Sequence, residues 1–397
     1  MEKKDKTLNV PNLRFPEFSG EWEKYKLDEI VTISKERIGV GMLSSSNYIS
    51  TENMKSNFGG VDLTASLPVS GNVIKFQQGD TLLSNIRPYL KKIWQARFDG
   101  GCSADILVFR SNKLCNQDFL YYTLANEKFI SYAMSGAKGV KMPRGDKEQI
   151  LKYELHLPTA TEQNKITSLL SLLDQRVETQ KKIIEDLKKL KEAINNSLHN
   201  NINEFQLFSF NELGNDYSGL IGKSSDDFGS GLPYISYLNV FRNDIVTDGP
   251  FDCVKVSKTE KQNIVSYGDL LFTLSSETPS EVGIGAIYLG KTNPLYLNSF
   301  CFGVHLSNQE NIYGPYLAYF VTSQYFRRTI LPFAQGSTRY NLMKSDFMKH
   351  KFCFPNIASQ KAIYNTLHTL SEKIQNEEVC LNKYTEQKQY LLTRLFI

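Results

Sequence analysis

Asn293-Pro294-Leu295-Tyr296 falls one proline short of the Asn-Pro-Pro-Tyr-type pattern with which adenine methyltransferases hold a base swung out of its stack. Such an enzyme also needs a glycine-rich strand-to-helix turn for its cofactor. The nearby Gly283-Ile284-Gly285 leads into a strand instead and lies too close to the motif. A turn opening on Asn-Pro is the expectation. Cys301 and His305 share one face of a strand, but two ligands without a second pair do not make a zinc site. Glu386-Gln387-Lys388 has the Glu-x-Lys spacing of some nuclease centres, yet it falls on a helix with Lys388 at an apolar-stripe position. His156, His199, His350 and His368 have no sequence context for a nucleophile-base pair. No catalytic residue, no metal and no cofactor of its own are expected.

Other residues are equipped to bind rather than react. Gln335-Gly336-Ser337-Thr338-Arg339-Tyr340-Asn341-Leu342 is a glycine-led loop dense in donors, acceptors and a ring. Arginine can grip a guanine edge or a phosphate, asparagine can pair with adenine, serine and threonine serve either, and a ring can stack. Ser337, Thr338, Arg339, Tyr340 and Asn341 are therefore candidates for contact with double-stranded DNA. Earlier in the chain the candidates are Lys138, Lys141 and Arg144, together with Arg87, Tyr89, Lys91 and Lys92. Ser44-Ser45-Ser46-Asn47-Tyr48 and Ser236-Tyr237-Leu238-Asn239 fit groove contact or ordinary loop equally well.

These loops recur because the chain repeats itself. A shift of 197 places Gly139 on Gly336, Leu157-Pro158 on Phe354-Pro355, Gln163 on Gln360 and Ile166 on Ile363. With other offsets, Gly79-Asp80-Thr81-Leu82 resembles Gly268-Asp269-Leu270-Leu271, and Leu27-Asp28-Glu29-Ile30 resembles Phe210-Asn211-Glu212-Leu213. Changing offsets between fixed landmarks are the mark of loops varying on one scaffold. Each copy ends in a heptad helix. The first seam reads Ile166, Leu170, Leu173, Val177, Ile184, Leu187, Ile194 and Leu198, interrupted at Gln180 and Lys191. The second reads Ile363, Leu367, Leu370, Ile374, Leu381, Tyr384, Leu391 and Leu395, interrupted at Glu377 and Lys388. Equal length and register predict an antiparallel pair within the chain, about 60 Å long at 1.5 Å per residue. Before each helix lies a mixed α/β head, with strands expected at Asn72–Phe76, Asp105–Phe109, Leu270–Leu274 and Gly283–Leu289 and helices at Gln117–Leu124 and Tyr316–Phe320.

Composition bounds the setting. The chain has 397 residues and a net charge of +4, with 22 Lys+Arg against 18 Asp+Glu in residues 1–158 but 12 against 13 in 205–355. So mild a charge implies local patches and specific contacts rather than bulk phosphate attraction. Six scattered cysteines with no Cys-x-x-Cys pair fit a reducing cytoplasm, and no apolar run suits a signal core or a membrane span.

Pro11-Asn12-Leu13-Arg14-Phe15-Pro16-Glu17-Phe18-Ser19-Gly20-Glu21-Trp22, the repeated Gly-Asp-x-Leu strand, the Gln335–Leu342 loop and the helix entry Pro158-Thr159-Ala160-Thr161-Glu162-Gln163 resemble Type I restriction-modification specificity subunits over essentially the whole chain. In the first head, Gly136–Arg144 keeps only Gly139 and its basic character from the corresponding loop. The resemblance implies an α+β protein with target-recognition domains at 1–158 and 201–355, and helices at 159–200 and 356–397 pairing as an antiparallel coiled coil. It implies that each head reads half of a split DNA site, and that the helices set the gap and dock two methyltransferase subunits, with motor-nuclease subunits completing the enzyme; on such a rod the heads are expected to straddle DNA about one turn apart. S-adenosylmethionine, ATP and Mg would then be used by those partners. Two rival readings predict other outcomes: a standalone DNA methyltransferase would transfer methyl groups by itself, and a coiled-coil scaffold would not change DNA selection when a head is exchanged.

Overall fold

The computed structural model describes residues 9–63, 66–200, 204–308 and 310–397, so Met1–Leu8 with their charged residues lie outside it. Two long helices, Ala160–Asn200 and Ile357–Arg394, dominate the secondary structure. Compact units do not end where these helices end. The first unit contains residues 1–181 and 380–397, and the second contains 182–379. Each unit therefore combines one head with a piece of both helices, because the apolar stripes pack on the heads as well as on each other.

Within each unit the helix pieces run antiparallel. In the first, Asp174 pairs with Lys388 at 2.5 Å and the Arg176 guanidinium lies 5.0 Å from the Tyr384 ring centre. In the second, Lys188 pairs with Glu378 at 2.6 Å. Ile166, Leu170, Leu173, Ile184, Ile363, Leu367 and Ile374 are buried, while Val177, Leu187, Leu370, Leu381 and Tyr384 are half-buried. The two lysines that interrupt the seams have partners off them. Lys191 reaches Asp244 at 2.6 Å and lies 5.0 Å from the Tyr319 ring, and its repeat-mate Lys388 lies 5.8 Å from the Tyr122 ring.

The two heads share a strand order. In the first, Val31–Ile33, Ile106–Ser111, Thr81–Ser84 and Ile93–Gln95 form an antiparallel sheet. In the second, Gly214–Ser218, Cys301–Leu306, Leu270–Thr273 and Gly285–Tyr288 run in the same order, extended by Ile245–Val246. The repeated Gly-Asp turn explains how a polar pair begins a core strand. Gly79 and Gly268 take φ of 91° and 88°, where a side chain would be strained. The aspartates behind them, 1% and 2% exposed, accept the Gln77 and Ser266 N–H groups at 2.9 and 2.7 Å. Their remaining capacity is met by the Arg110 guanidinium on Asp80, and by Tyr217 Oη and His305 Nδ1 on Asp269.

Each long helix is fastened to its head by a buried glutamine. Gln163 accepts the Asn116 N–H at 2.7 Å and donates to the carbonyls of Leu114 and Pro158 at 3.1 and 3.0 Å. Gln360 accepts the Tyr313 N–H at 2.8 Å and donates to Asn311 and Pro355 at 2.9 and 2.8 Å. Truncating either residue strands three main-chain groups, and an orphaned buried group costs about 1–3 kcal/mol. Gln163→Ala should lower the stability of the first unit by about 2 kcal/mol, allowing for relaxation around the site. Both tryptophans, Trp22 and Trp94, belong to that unit, so tryptophan-detected urea unfolding reads the loss directly. An unchanged midpoint would show that the glutamine is not a clamp.

Candidate nucleic-acid interface

In the first head, two separate stretches of candidate residues meet. Lys138 and Arg144 exchange main-chain hydrogen bonds of 2.9 Å in both directions, which folds residues 138–144 into a hairpin around Gly139. Its returning strand lies against residues 85–87. Ile86 bridges to Arg144, the Arg87 N–H donates to the Pro143 carbonyl at 2.7 Å, and the Gly145 N–H donates to the Asn85 carbonyl at 3.0 Å. Arg87 and Lys91 bracket the single turn Pro88–Leu90 and both adopt left-handed φ, 50° and 55°. Non-glycine residues held this way cost about 1–3 kcal/mol each and concentrate where function fixes the backbone. The turn presents Tyr89 at 47% exposure.

The cations differ in how they are held. Lys138 pairs with Asp146 at 2.7 Å and Arg144 with Asp105 at 3.1 Å, both from exposed positions where an ion pair is weak and easily exchanged for a phosphate. Lys141 is exposed at the hairpin tip. Lys91 instead pairs with Glu127 at 2.5 Å, and Lys92 donates to the Thr51 carbonyl at 2.6 Å, both half-buried. The structure thus groups Arg87, Tyr89, Lys138, Lys141 and Arg144, and turns the ammonium groups of Lys91 and Lys92 toward other parts of the head.

The second head builds the same hairpin from a different sequence. Ala334–Gln335 and Tyr340–Leu342 pair antiparallel, with Gln335 opposite Asn341, and Asn341 in turn faces Ser275. These are the repeat positions of the Lys138–Arg144 and Ile86–Arg144 pairings. Gly336 has φ of 148°, and a Cβ there would come within 2.0 Å of the Arg339 carbonyl oxygen. Ser337, Thr338, Arg339 and Asn341 are exposed and Tyr340 is half-buried. Arg339 Nε donates to Ser275 Oγ at 3.2 Å, and its guanidinium stacks 5.1 Å from the ring centre of Phe300, itself 50% exposed. The arginine is therefore held by a hydroxyl and a ring, with its remaining donors available.

Sequence reading did not select Phe300, or Val140 and Met142, whose exposures of 100% and 51% put apolar surface beside the cations of the first hairpin. A large apolar residue inside a Gly, Lys or Ser-rich loop is the signal that marks them. Other loops have structural duties. Asn47 accepts from Ser44, Asn239 accepts from the Ser236 N–H and hydroxyl, and Tyr48 is buried.

The residues with catalytic-looking spacing are core or frame. Leu295 and Tyr296 are buried, and Tyr296 pairs in parallel with Tyr234. Cys301 is buried, which pushes its thiol well above the usual range, and His305 is committed to Asp269. Among the described residues no group of three His, Cys, Asp or Glu side chains could hold a metal, and no helix is long and apolar enough to cross a membrane.

A duplicated head with paired helices defines a class of protein, and comparison with known proteins gives it a family. The model of the Type I restriction modification DNA specificity domain matches residues 19–189 and again 192–384, so the chain belongs to that family. It is 21% identical over 407 residues to the Type I restriction enzyme MjaVIII specificity subunit of Methanocaldococcus jannaschii, covering 94% of this chain and 91% of that protein. Its fold matches that of a Type I restriction-modification S subunit from M. genitalium with a TM-score of 0.59 at 17% identity, over 98% of this chain and 99% of the other. A chain from a structural study of complex assembly and conformational transition of the type I R-M system matches with a TM-score of 0.58 at 18% identity, over 94% and 96%.

Proposed function

We propose that this chain is the non-catalytic reading subunit of a Type I restriction-modification enzyme, in which each head recognises one half of a bipartite DNA target. The observation that carries this reading is the recurrence of one exposed, backbone-built hairpin in both heads, furnished differently in each: cations, Tyr89 and apolar residues in the first, Ser337, Thr338, Arg339, Tyr340 and Asn341 in the second. A shared frame with changed side chains is what two heads reading different half-sites require. Lys138 and Lys141 would fix register on phosphates, Arg144 and Arg339 would address guanine edges, and Asn341 would pair with adenine. The paired helices set the unspecified spacer and receive two methyltransferase subunits. Motor-nuclease subunits join the full assembly, and S-adenosylmethionine, ATP and Mg serve those partners in the cytoplasm.

Methylation mapping in cells carrying this chain with its methyltransferase partner tests the proposal. A two-part methylated site should appear and vanish when this chain alone is deleted. Arg339→Ala should relax one base position in one half-site by about 10- to 100-fold and leave the other half untouched, since a bidentate arginine-guanine contact is worth about 1–3 kcal/mol. A site indifferent to deletion of the chain would favour a scaffold, and methyl transfer by the purified chain alone would favour an enzyme.

A further inference from the structure

The repeat leaves one place in the fold furnished in the first unit and, among the described residues, open in the second. In the first unit, residues 9–22 cross the start of the first long helix and the end of the second. The Leu13 N–H donates to the Arg394 carbonyl at 2.9 Å, and Arg14 grips Glu162 with two bonds of 2.8 Å. Lys165 pairs with Glu17 and lies 5.1 Å from the Phe15 ring centre. Trp22, 2% exposed, donates to Glu162 at 3.3 Å. Phe15 and Trp22 close over a core that includes Ile166, Leu170 and Leu395.

A shift of 197 converts Pro158, Glu162, Lys165, Ile166 and Leu169 into Pro355, Ser359, Ala362, Ile363 and Thr366, and Leu395 corresponds to Leu198. Those six shifted residues, with Asn356 and Glu204, line a groove of about 540 Å³ in the second unit. Among the described residues no counterpart of residues 9–22 fills it. The outer strand Phe205–Ser209 is joined to the helix ending at Asn200 by residues 201–204, whereas the equivalent strand Glu23–Lys26 is preceded by the whole crossing segment. The substitutions also change what the groove accepts. Loss of Glu162 and Lys165 to serine and alanine removes the partners of an Arg14 and a Glu17, leaving Leu198, Pro355, Ala362 and Ile363 beside two hydroxyls, Ser359 and Thr366, the Asn356 amide and one carboxylate, Glu204.

We propose that this groove receives an extended segment of the methyltransferase subunit docked on the second unit, with apolar side chains interspersed among polar ones and seated as residues 9–22 are seated in the first. The inference rests on the docking reading above and adds an anchor to it. Apolar side chains of the segment cover Ile363, Ala362 and Leu198, and a basic residue beside them faces Glu204. The groove of the first unit is already filled by this chain, so the anchor serves only one of two otherwise equivalent docking positions.

The test uses the full chain carrying Ala362→Cys, titrated with purified methyltransferase subunit, with maleimide labelling at residue 362 resolved by peptide mass. Labelling should be fast in the free chain and about tenfold or more slower in the co-eluting complex. In parallel, Ala362→Trp, which fills the groove from within, should weaken binding of one methyltransferase subunit about tenfold while the thermal unfolding of the chain is unchanged. A complex that forms while residue 362 labels at the free rate, and that tolerates Ala362→Trp, overturns the groove proposal and leaves docking along the helices intact. Failure of any complex to form removes both. Protection of residue 362 in the chain alone, growing with its concentration, would assign the groove to a second copy and likewise overturn the proposal.

Discussion

Replacing Phe396 by alanine should strongly destabilise the first unit, most of whose sequence lies at the opposite end of the chain, and leave the second unit's stability unchanged. Phe396 is 6% exposed, and its ring packs 5.1 Å from that of Phe119. Both belong to the cluster that contains Trp22, Ile166, Leu392 and Leu395. The main chain of the same turn is engaged as well, since Asn126 Nδ2 donates to the Leu392 carbonyl at 3.1 Å. Truncating a buried phenylalanine costs about 3–5 kcal/mol, a large fraction of the roughly 5–15 kcal/mol that stabilises a domain. Trp22 and Trp94 make fluorescence a reporter of the first unit alone, while far-ultraviolet circular dichroism sees both units. The expected pattern is a large downward shift of the fluorescence midpoint with a surviving helical transition. An unshifted fluorescence midpoint would mean that the last turn is dispensable to the first head.

The second prediction follows from what occupies the equivalent position in the second unit. A shift of 197 turns the pair Phe119 and Phe396 into Tyr316 and His199, whose rings stack at 5.4 Å and 25°. His199 is 3% exposed. Its Nδ1–H donates to the Asn195 carbonyl at 2.8 Å, and Nε2, like Tyr316 Oη, has no hydrogen-bond partner among the described residues. Burial penalises the imidazolium and pulls the pKa down to about 4. The unfolded chain, with an ordinary value of about 6.5, takes up a proton that the folded chain refuses. Stability from this group is therefore complete above about pH 6.5 and is lost as pH falls toward about 4, by about 3 kcal/mol over the whole range. His199→Phe restores the apolar pair of the first unit and should abolish that share of the acid sensitivity. Between pH 7 and pH 5 the wild-type second unit should lose about 2 kcal/mol more than the variant, or about 4–8 °C in Tm. Identical acid sensitivity in the two proteins would refute the assignment.

Much of this architecture is written locally. The two helices announce themselves because heptad periodicity is a property of neighbouring residues, and the Gly-Asp turns because only glycine sits easily at their φ. The strand at Asn72–Phe76 and the helix at Gln117–Leu124 coincide with their expected ranges for the same reason. The two hairpins contrast instructively. Both turn on a glycine at positive φ, Gly139 at 101° and Gly336 at 148°, but only at Gly336 would a Cβ come within 2.0 Å of backbone; at Gly139 the nearest backbone oxygen lies 3.3 Å from that position. Strand order, the inward turn of Lys91 and Lys92, and the burial of Phe396 against Phe119 depend on partners far along the chain. Periodicity and composition carry no record of such partners.

The division of the chain into 1–181 with 380–397, around an uninterrupted 182–379, also orders events during synthesis. The first head emerges from the ribosome first yet lacks Leu392, Leu395 and Phe396 from its core until the final stretch is translated. The second unit has everything it needs before that stretch appears. Folding should therefore finish in the reverse of the order of translation, with the early-made head waiting, its Trp22 and Phe119 surfaces uncovered, for the late-made helix end to close it.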